Sequence, residues 1–148
     1  MGANSISAWR VCLPYPRKGN ELQQWDYLLS SFPASELFAI GPVPEHVESR
    51  SVFAKAAFVG TAEAIVRPLV LVAPQNGRYY KGGVNLAQFD HNPNAVYVFG
   101  SDSLPLSDDH MGQREPEESV YIETSSKDDL YSWVAAGIVW WDRKLKLG

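Results

Sequence analysis

The sequence predicts an α/β fold in which a mostly parallel sheet of five to six strands carries helices on both faces. The first observation is the order of the segments, because short apolar runs alternate with amphipathic stretches of helical length. The second is the way in which the most apolar runs end. Residues 69–73 stop at Pro74, and residues 95–99 stop at Gly100 before a polar loop. This pattern is typical of buried strands that open into loops at one edge of a sheet.

Five segments are predicted as strands because each is short, rich in apolar and β-branched residues, and bounded by turn-forming or polar residues. In chain order these are residues 6–13, 36–40, 69–73, 95–99 and 119–122. Pro14 breaks the first strand, and Gly41 with Pro42 begins a rigid turn after the second. Residues 84–89 are predicted as a short helical or extended turn. The segments 75–83 and 104–118 are predicted as loops.

Three segments are predicted as helices. They span residues 21–32, 45–64 and 126 to about 145. Asn20 can cap the first helix. The second has apolar residues at helical spacing but an interruption at Gly60, so a frayed or kinked end is expected. Ser126 and Asp129 resemble a capping box at the start of the third.

The last helix is apolar over much of its circumference. One stripe consists of Leu130, Val134, Ile138, Trp141 and Leu145, and a second of Trp133, Ala136 and Trp140. A helix of this kind is covered on two sides. In a chain of 148 residues the second cover is expected to be another subunit, which predicts a homodimer through this helix.

Composition limits the possible functions. With 45% apolar residues the chain is expected to form one domain over residues 1–148, without an apolar run near the roughly 20 residues that cross a bilayer. The single cysteine, Cys12, predicts an inert core thiol in a reducing compartment, the cytoplasm. A net charge of −4 argues against nucleic acid wrapping the whole surface, but it is compatible with a local basic patch.

Several kinds of catalytic site are not indicated. The three histidines are far apart and there is no Cys-x-x-Cys pair, so no metal site is expected. The turn after residue 99 lacks the second glycine of a nucleophile elbow. Asp108 and Asp109 beside His110 could suggest acid–base catalysis. Their acidic loop favours a solvated segment instead.

The clustering of strand ends is the positive signal. Pro74, Gly100 and Ile122 each end or follow an apolar strand, and in a parallel sheet the three exits can lie side by side. Such loops offer backbone N–H and C=O groups to a flat heterocycle. The sequence therefore permits a nucleotide-like ligand at this edge.

The order of motifs resembles the SPOUT superfamily of RNA methyltransferases, of the TrmH (SpoU) type, with degenerate motifs. In the second half the similar segments are Val-Tyr-Val-Phe-Gly-Ser-Asp at 96–102, Leu106-Ser107, Val-Tyr-Ile-Glu-Thr at 120–124 and residues 129–139. Upstream, residues 13–20 and 36–41 are similar to the family's first motif, and residues 69–74 to the strand that opens its cofactor pocket. The resemblance covers almost the whole chain.

The resemblance implies a C-terminal trefoil knot, S-adenosylmethionine as cofactor, and a homodimer that builds the active site from both subunits. It implies methyl transfer to tRNA or rRNA, with a ribose 2′-oxygen as acceptor. The residues implied around the cofactor are Ala73, Pro74, Phe99, Gly100, Ile122, Thr124 and Leu130. Asn20 and Asp102 are implied at the reacting side, and Ser132 near the acceptor.

The departures from the family pattern keep alternatives open. The family has an arginine on the first helix, where this chain has Gln24, Trp25 and Asp26, so Arg17 is a candidate substitute. The alternatives are a SPOUT-like binding protein without catalysis and a small-molecule enzyme that uses the same pocket. Candidate contacts to RNA phosphates are Arg10, Arg17, Lys18, Arg50 and Lys55.

Overall fold

A computed structural model describes residues 8–17, 19–74, 83–101, 106–125 and 130–148. The strands are β1 (Arg10–Pro14), β2 (Glu36–Ile40), β3 (Ala57–Val59), β4 (Leu69–Val72), β5 (Val84–Asn85), β6 (Val96–Val98) and β7 (Glu118–Tyr121). The α-helices are α1 (Gly19–Ser31), α2 (Asp108–Met111) and α3 (Ser132–Leu147). Short 3-10 turns occur at Val52–Lys55, Ala62–Ala64 and Leu86–Gln88.

These strands form a seven-stranded sheet in the order β3-β2-β1-β6-β4-β7-β5, and each neighbouring pair is parallel. The prediction of an α/β fold with a mostly parallel sheet is confirmed. The number of strands exceeds the predicted five to six because the edge positions are filled by the short strands β3 and β5.

Side chains alternate between two cores, one on each face of the sheet. Val11 and Leu13 pack into the core beneath α1 and α3, whereas Cys12 between them faces the core beneath α2. Likewise, Tyr97 packs into the core beneath α1 and α3, and Val98 packs into the core beneath α2. The predicted helices on both faces are therefore present. Burial raises the pKa of the Cys12 thiol to about 12, which agrees with an inert core thiol.

Helices α1 and α3 lie side by side on one face and run in the same direction. Trp25 of α1 donates from Nε1 to Oγ of Ser132, 3.1 Å away, at the start of α3. Near the other end, the rings of Phe32 and Trp140 stack with their centroids 4.1 Å apart. Of the two predicted stripes on α3, the one containing Ala136 faces the core, and the one containing Trp141 is exposed.

Strands β6, β4 and β7 are direct neighbours at the centre of the sheet. Leu71 lies opposite Val98, and Val72 lies opposite Val120. Since all strands are parallel, the chain leaves these three strands at the same edge, which we call the carboxyl edge. The predicted side-by-side exit of the three strands is confirmed.

The predicted helix over residues 45–64 is wrong. This segment contains the 3-10 turn Val52–Lys55, strand β3 and the 3-10 turn Ala62–Ala64. Phe58 pairs with Ala39 of β2, so the open hydrogen-bonding groups of that strand determine the backbone here. Local helical spacing of apolar residues is a weaker constraint than completing a ladder at a sheet edge.

Other element boundaries also differ from the prediction. Asn20 lies inside α1, which begins at Gly19, and does not precede it as a cap. Helix α3 begins at Ser132 with Tyr131 as its N-cap, whereas the predicted capping residues at 126 and 129 lie outside the described part of the chain. The predicted loop 104–118 contains α2, which begins with a capping box between Ser107 and His110.

A polar network joins β6 to the second half of α3. The His91 side chain is fully buried, with Nδ1 at 2.6 Å from the Tyr97 hydroxyl and Nε2 at 2.7 Å from Oδ2 of Asp142. An ionised carboxylate only accepts, so Nε2 carries the hydrogen and Nδ1 accepts from Tyr97. Lys146 extends the network, because its ammonium lies 2.9 Å from Asp142 and donates to the backbone carbonyl of Leu86.

Burial lowers the pKa of His91 below its ordinary value of 6.5, although the bond to Asp142 opposes the shift. The unfolded chain therefore takes up a proton at higher pH than the folded chain does. We expect the free energy of unfolding to be highest above about pH 6.5 and to fall as the pH is lowered through the folded pKa. Urea unfolding at a series of pH values between 5 and 8 measures this slope.

The variant His91→Gln is expected to flatten that dependence. The exposed His46 offers the matched control, since His46→Gln should keep the wild-type slope. Burial lowers the pKa of His110 as well, so a smaller slope of the same sign remains in both variants. A slope unchanged in His91→Gln would contradict the assignment.

Candidate active site

The carboxyl edge gathers most of the residues that the sequence singled out. Arg17 and Asn20 follow β1 and are exposed. Ala73 and Pro74 follow β4, Phe99 and Gly100 follow β6, and Ile122 and Thr124 follow β7. Leu130 and Ser132 stand at the start of α3. Two residues, Lys18 and Asp102, lie outside the described ranges.

Backbone hydrogen bonds hold two of the three exits in place. The N–H of Ala73 donates to the carbonyl of Val120, at 3.0 Å, and the N–H of Phe99 donates to the carbonyl of Cys12, at 2.8 Å. Strand pairing therefore continues one residue beyond β4 and β6. These bonds fix the position at which each loop begins, and a ligand that binds main-chain groups requires such fixed positions.

The side chain of Phe99 belongs to the core. It is 1% exposed, and its ring contacts that of Trp25 edge-on, with centroids 5.6 Å apart. Only the main chain of Phe99 is in a position to meet a ligand at the edge. This placement is compatible with the backbone-mediated binding that the resemblance implies.

The residues that replace the family's arginine have structural contacts. Trp25 is fully buried and donates to Ser132, so the hydroxyl of Ser132 ties α3 to α1. Asp26 accepts from Oγ of Ser51, at 2.8 Å, and from the N–H of Val52, at 3.0 Å, and thereby secures the following 3-10 turn. Neither Trp25 nor Asp26 is available to a substrate.

The predicted cationic contacts to RNA do not form one patch. Arg10 begins β1 at the opposite edge of the sheet, where it pairs with Glu36 at 2.6 Å and donates to the carbonyls of Ala8 and Pro93. These contacts favour a structural role for Arg10. Arg50 and Lys55 precede β3, also at that opposite edge. Among the described residues of the predicted set, Arg17 alone lies at the carboxyl edge.

A groove of about 1060 Å³ runs between α1 and α3. Its carboxyl-edge end is lined by Ile122 and Thr124, two of the predicted cofactor residues. Its walls are mainly apolar and contain Tyr27, Trp141 and Leu145, which are 71%, 54% and 64% exposed. Large apolar side chains exposed together mark a surface that binds a partner or ligand.

Glu21 was not among the predicted site residues, although it lies at the carboxyl edge. It is 5% exposed, in the first turn of α1. The sequence carried a signal for its burial, because Glu21 is spaced by four residues from Trp25 on the apolar face.

Within the described parts of the chain, no group of three or more His, Cys, Asp or Glu side chains could hold a metal ion. No helix there is long and apolar enough to cross a membrane.

The contact between Trp25 and Ser132 can be measured by a double-mutant cycle. Trp25→Phe removes the donor but keeps an aromatic ring, and Ser132→Ala removes the acceptor. We expect a coupling free energy of about 1 kcal/mol in urea unfolding, the usual net contribution of such a bond. The control cycle combines Trp25→Phe with Ser35→Ala, because Ser35 bonds to Trp9 and not to Trp25. Coupling near zero in the first cycle would contradict the contact.

No family model and no curated protein matches this sequence. Solved structures do match. An AdoMet-bound rRNA methyltransferase from Sinorhizobium meliloti is 17% identical with a TM-score of 0.70, and the alignment covers 95% of this chain and 57% of that one. The SpoU methyltransferase AviRb from Streptomyces viridochromogenes is 15% identical with a TM-score of 0.68, over 95% of this chain and 60% of AviRb.

A third structure, which concerns the 2-OH methylation of C/U34 on tRNA, is 14% identical with a TM-score of 0.68. Here the alignment covers 96% of this chain and 97% of the other, whereas this chain spans less than two thirds of the first two proteins. Identities this low establish the fold alone. The chain therefore has the α/β fold of SpoU-type methyltransferases, as the sequence resemblance predicted.

Proposed function

We propose that this protein is an S-adenosylmethionine-dependent RNA methyltransferase that modifies a ribose 2′-oxygen in tRNA or rRNA. The carboxyl edge carries this proposal. Three adjacent parallel strands, β6, β4 and β7, end there beside the start of α3. Structural neighbours with this fold include an AdoMet-bound rRNA methyltransferase and a protein concerned with 2-OH methylation of tRNA.

The residues at this edge fit the cofactor. Ile122 is half-buried and Leu130 is 38% exposed, so apolar surface is available to a purine next to the main-chain exits. Ala73, Pro74, Phe99 and Gly100 would hold the adenine through main-chain groups, with Thr124 beside them. When bound, S-adenosylmethionine supplies a methyl group attached to a positively charged sulfur, which an oxygen nucleophile attacks.

The acceptor side is proposed to use the chain that follows β1. Arg17 and Asn20 are exposed there, so the guanidinium can bind a phosphate and the amide can orient a ribose hydroxyl. Asp102 is proposed at the same side from the resemblance. Ser132 is proposed near the acceptor, although its hydroxyl already accepts from Trp25.

We propose that the protein acts as a homodimer through α3, with a second copy on the groove between α1 and α3. The exposed Tyr27, Trp141 and Leu145 support this arrangement, because these apolar side chains would leave water on association. We also propose one SPOUT-like domain over residues 1–148, a knotted C-terminal half and a cytoplasmic location. The knot is proposed from the sequence resemblance.

A rival function is a SPOUT-like protein that binds its partner without catalysis. The structural contacts of Trp25 and Asp26 favour it, since no guanidinium replaces the family's arginine on α1. The small-molecule alternative would show turnover of the cofactor without RNA.

The proposed cofactor can be tested directly. We expect isothermal titration calorimetry to detect binding of S-adenosylmethionine. We also expect tritium to be transferred from the labelled cofactor to total RNA. This RNA is isolated from cells of the source organism that lack the gene for this protein. Gly100→Val places a branched side chain at the exit of β6 and should weaken binding about tenfold or more. Gly60→Val is the control at the exit of β3, because no atom lies within 4 Å of an added Cβ there.

The outcomes separate the functions. Cofactor binding without transfer to any RNA would support the non-catalytic rival. Absence of cofactor binding would refute the proposal.

The second prediction concerns assembly. Sedimentation equilibrium should give twice the 16.5 kDa chain mass. Trp141→Glu places a charge in the apolar face of α3 and should shift the protein to monomers, because burying an unpaired carboxylate is costly. Val66→Glu is the control, since Val66 is 94% exposed and does not line the groove. A wild-type monomer would contradict the proposed dimer.

A further inference from the structure

Tyr131 is an exposed aromatic residue immediately before the first residue of α3. It is the N-cap of this helix, and its side chain makes no capping hydrogen bond. Small polar residues are preferred at an N-cap because their side chains bond to the first N–H groups of the helix, and tyrosine is not one of them. Tyr131 is also 62% exposed. Neither helix capping nor core packing therefore accounts for a tyrosine at this position.

The ring of Tyr131 is supported by Trp133. The two rings are stacked, 9° from parallel, with their centroids 5.6 Å apart. Trp133 is half-buried and packs against the core beneath α1 and α3. Since one face of the Tyr131 ring lies toward Trp133, its high exposure means that the opposite face is open. Tyr131 therefore presents an aromatic face that is free to bind and already oriented by its neighbour.

This aromatic pair lies at the carboxyl edge. Ser132, the residue between the two rings in sequence, is bonded to Trp25, and Trp25 contacts Phe99 at the exit of β6. Trp133 lines the groove between α1 and α3 together with Ile122, which follows β7 and is a proposed cofactor residue. The open ring is thus a neighbour of the site at which the methyl donor is proposed to bind.

The proposed dimer contact leaves this ring uncovered. Trp141 and Leu145, which support the dimer, lie in the second half of α3, about 15 Å or more from Tyr131 along the helix axis. Tyr131 itself does not line the groove that a second copy would occupy. The occupant of its open face is therefore sought at the carboxyl edge.

A nucleobase fits such a face. Proteins that bind single-stranded RNA stack bases on aromatic side chains and hold the backbone with cations. Both elements are present at this edge, because Arg17 is exposed there and a guanidinium can bind a phosphate.

We propose that Tyr131 stacks against a base of the RNA substrate and positions the nucleotide whose ribose accepts the methyl group. This assignment rests on the RNA substrate of the proposed function. Tyr131 is a positioning residue, which takes no proton and contacts none of the reacting atoms. A base inside a duplex has no free face, so stacking selects an unpaired nucleotide and discriminates weakly among the four bases.

The test is Tyr131→Ala, which removes the ring without removing a capping bond. The probe is the same total RNA from cells that lack the gene. We expect filter binding to show about tenfold weaker RNA affinity, and tritium transfer to show a similar rise in KM with a smaller change in kcat. S-adenosylmethionine affinity by calorimetry and the mass by sedimentation equilibrium should stay at their wild-type values.

Three further variants distinguish stacking from other contacts. Tyr131→Phe keeps the aromatic face and should retain most of the wild-type RNA affinity. Tyr131→Leu keeps an apolar side chain without a π-face and should behave as Tyr131→Ala does. Val66→Ala is the control, because Val66 is 94% exposed and precedes β4 at the opposite edge of the sheet. This variant should bind RNA as the wild type does.

The assignment is overturned if Tyr131→Ala keeps the wild-type RNA affinity and KM. It is also overturned if this variant becomes monomeric, since a second copy would then cover the ring, or if its cofactor affinity falls as far as its RNA affinity. A wild-type protein that binds RNA but transfers no methyl group would refute the proposed function, while filter binding would still decide the stacking contact. A wild-type protein that binds no RNA would refute both.

Discussion

The position of β6 between β1 and β4 is the constraint on which the site depends. If the strands paired in sequence order, β5 would separate the exit of β4 from those of β6 and β7. With β6 and β7 on either side of β4, three consecutive main-chain exits share one edge. Parallel pairing with Leu71 opposite Val98 and Val72 opposite Val120 also fixes the positions of these exits along the strand direction. The candidate ligand site is thus a property of backbone arrangement before any side chain is considered.

Trp25 joins this edge to the helical layer. Its ring packs against Phe99, and its indole N–H bonds to Ser132, so one side chain sets the distance between the exit of β6 and the start of α3. Trp25 is therefore a rigid internal contact between the sheet and the helical layer.

The two ends of α3 serve different purposes. Its first turn borders the carboxyl edge, whereas its second half is anchored by the network of His91, Tyr97, Asp142 and Lys146. Because the His91 side chain is buried and both of its ring nitrogens have partners, the network fixes the rotation of the helix about its axis. This rotation turns Ala136 toward the core and leaves Trp141 and Leu145 on the surface. The anchoring of α3 therefore determines which apolar stripe is exposed at the surface.

The sequence by itself determined the fold class, most strand positions and the three exits at Pro74, Gly100 and Ile122, because short apolar runs with terminal turn residues are local signals. It could not place β3, since Phe58 becomes a strand residue only through pairing with β2. It overestimated the basic face, because the ion pair of Arg10 with Glu36 joins residues far apart in the chain. Tertiary structure decided these points because each depends on contacts between distant segments.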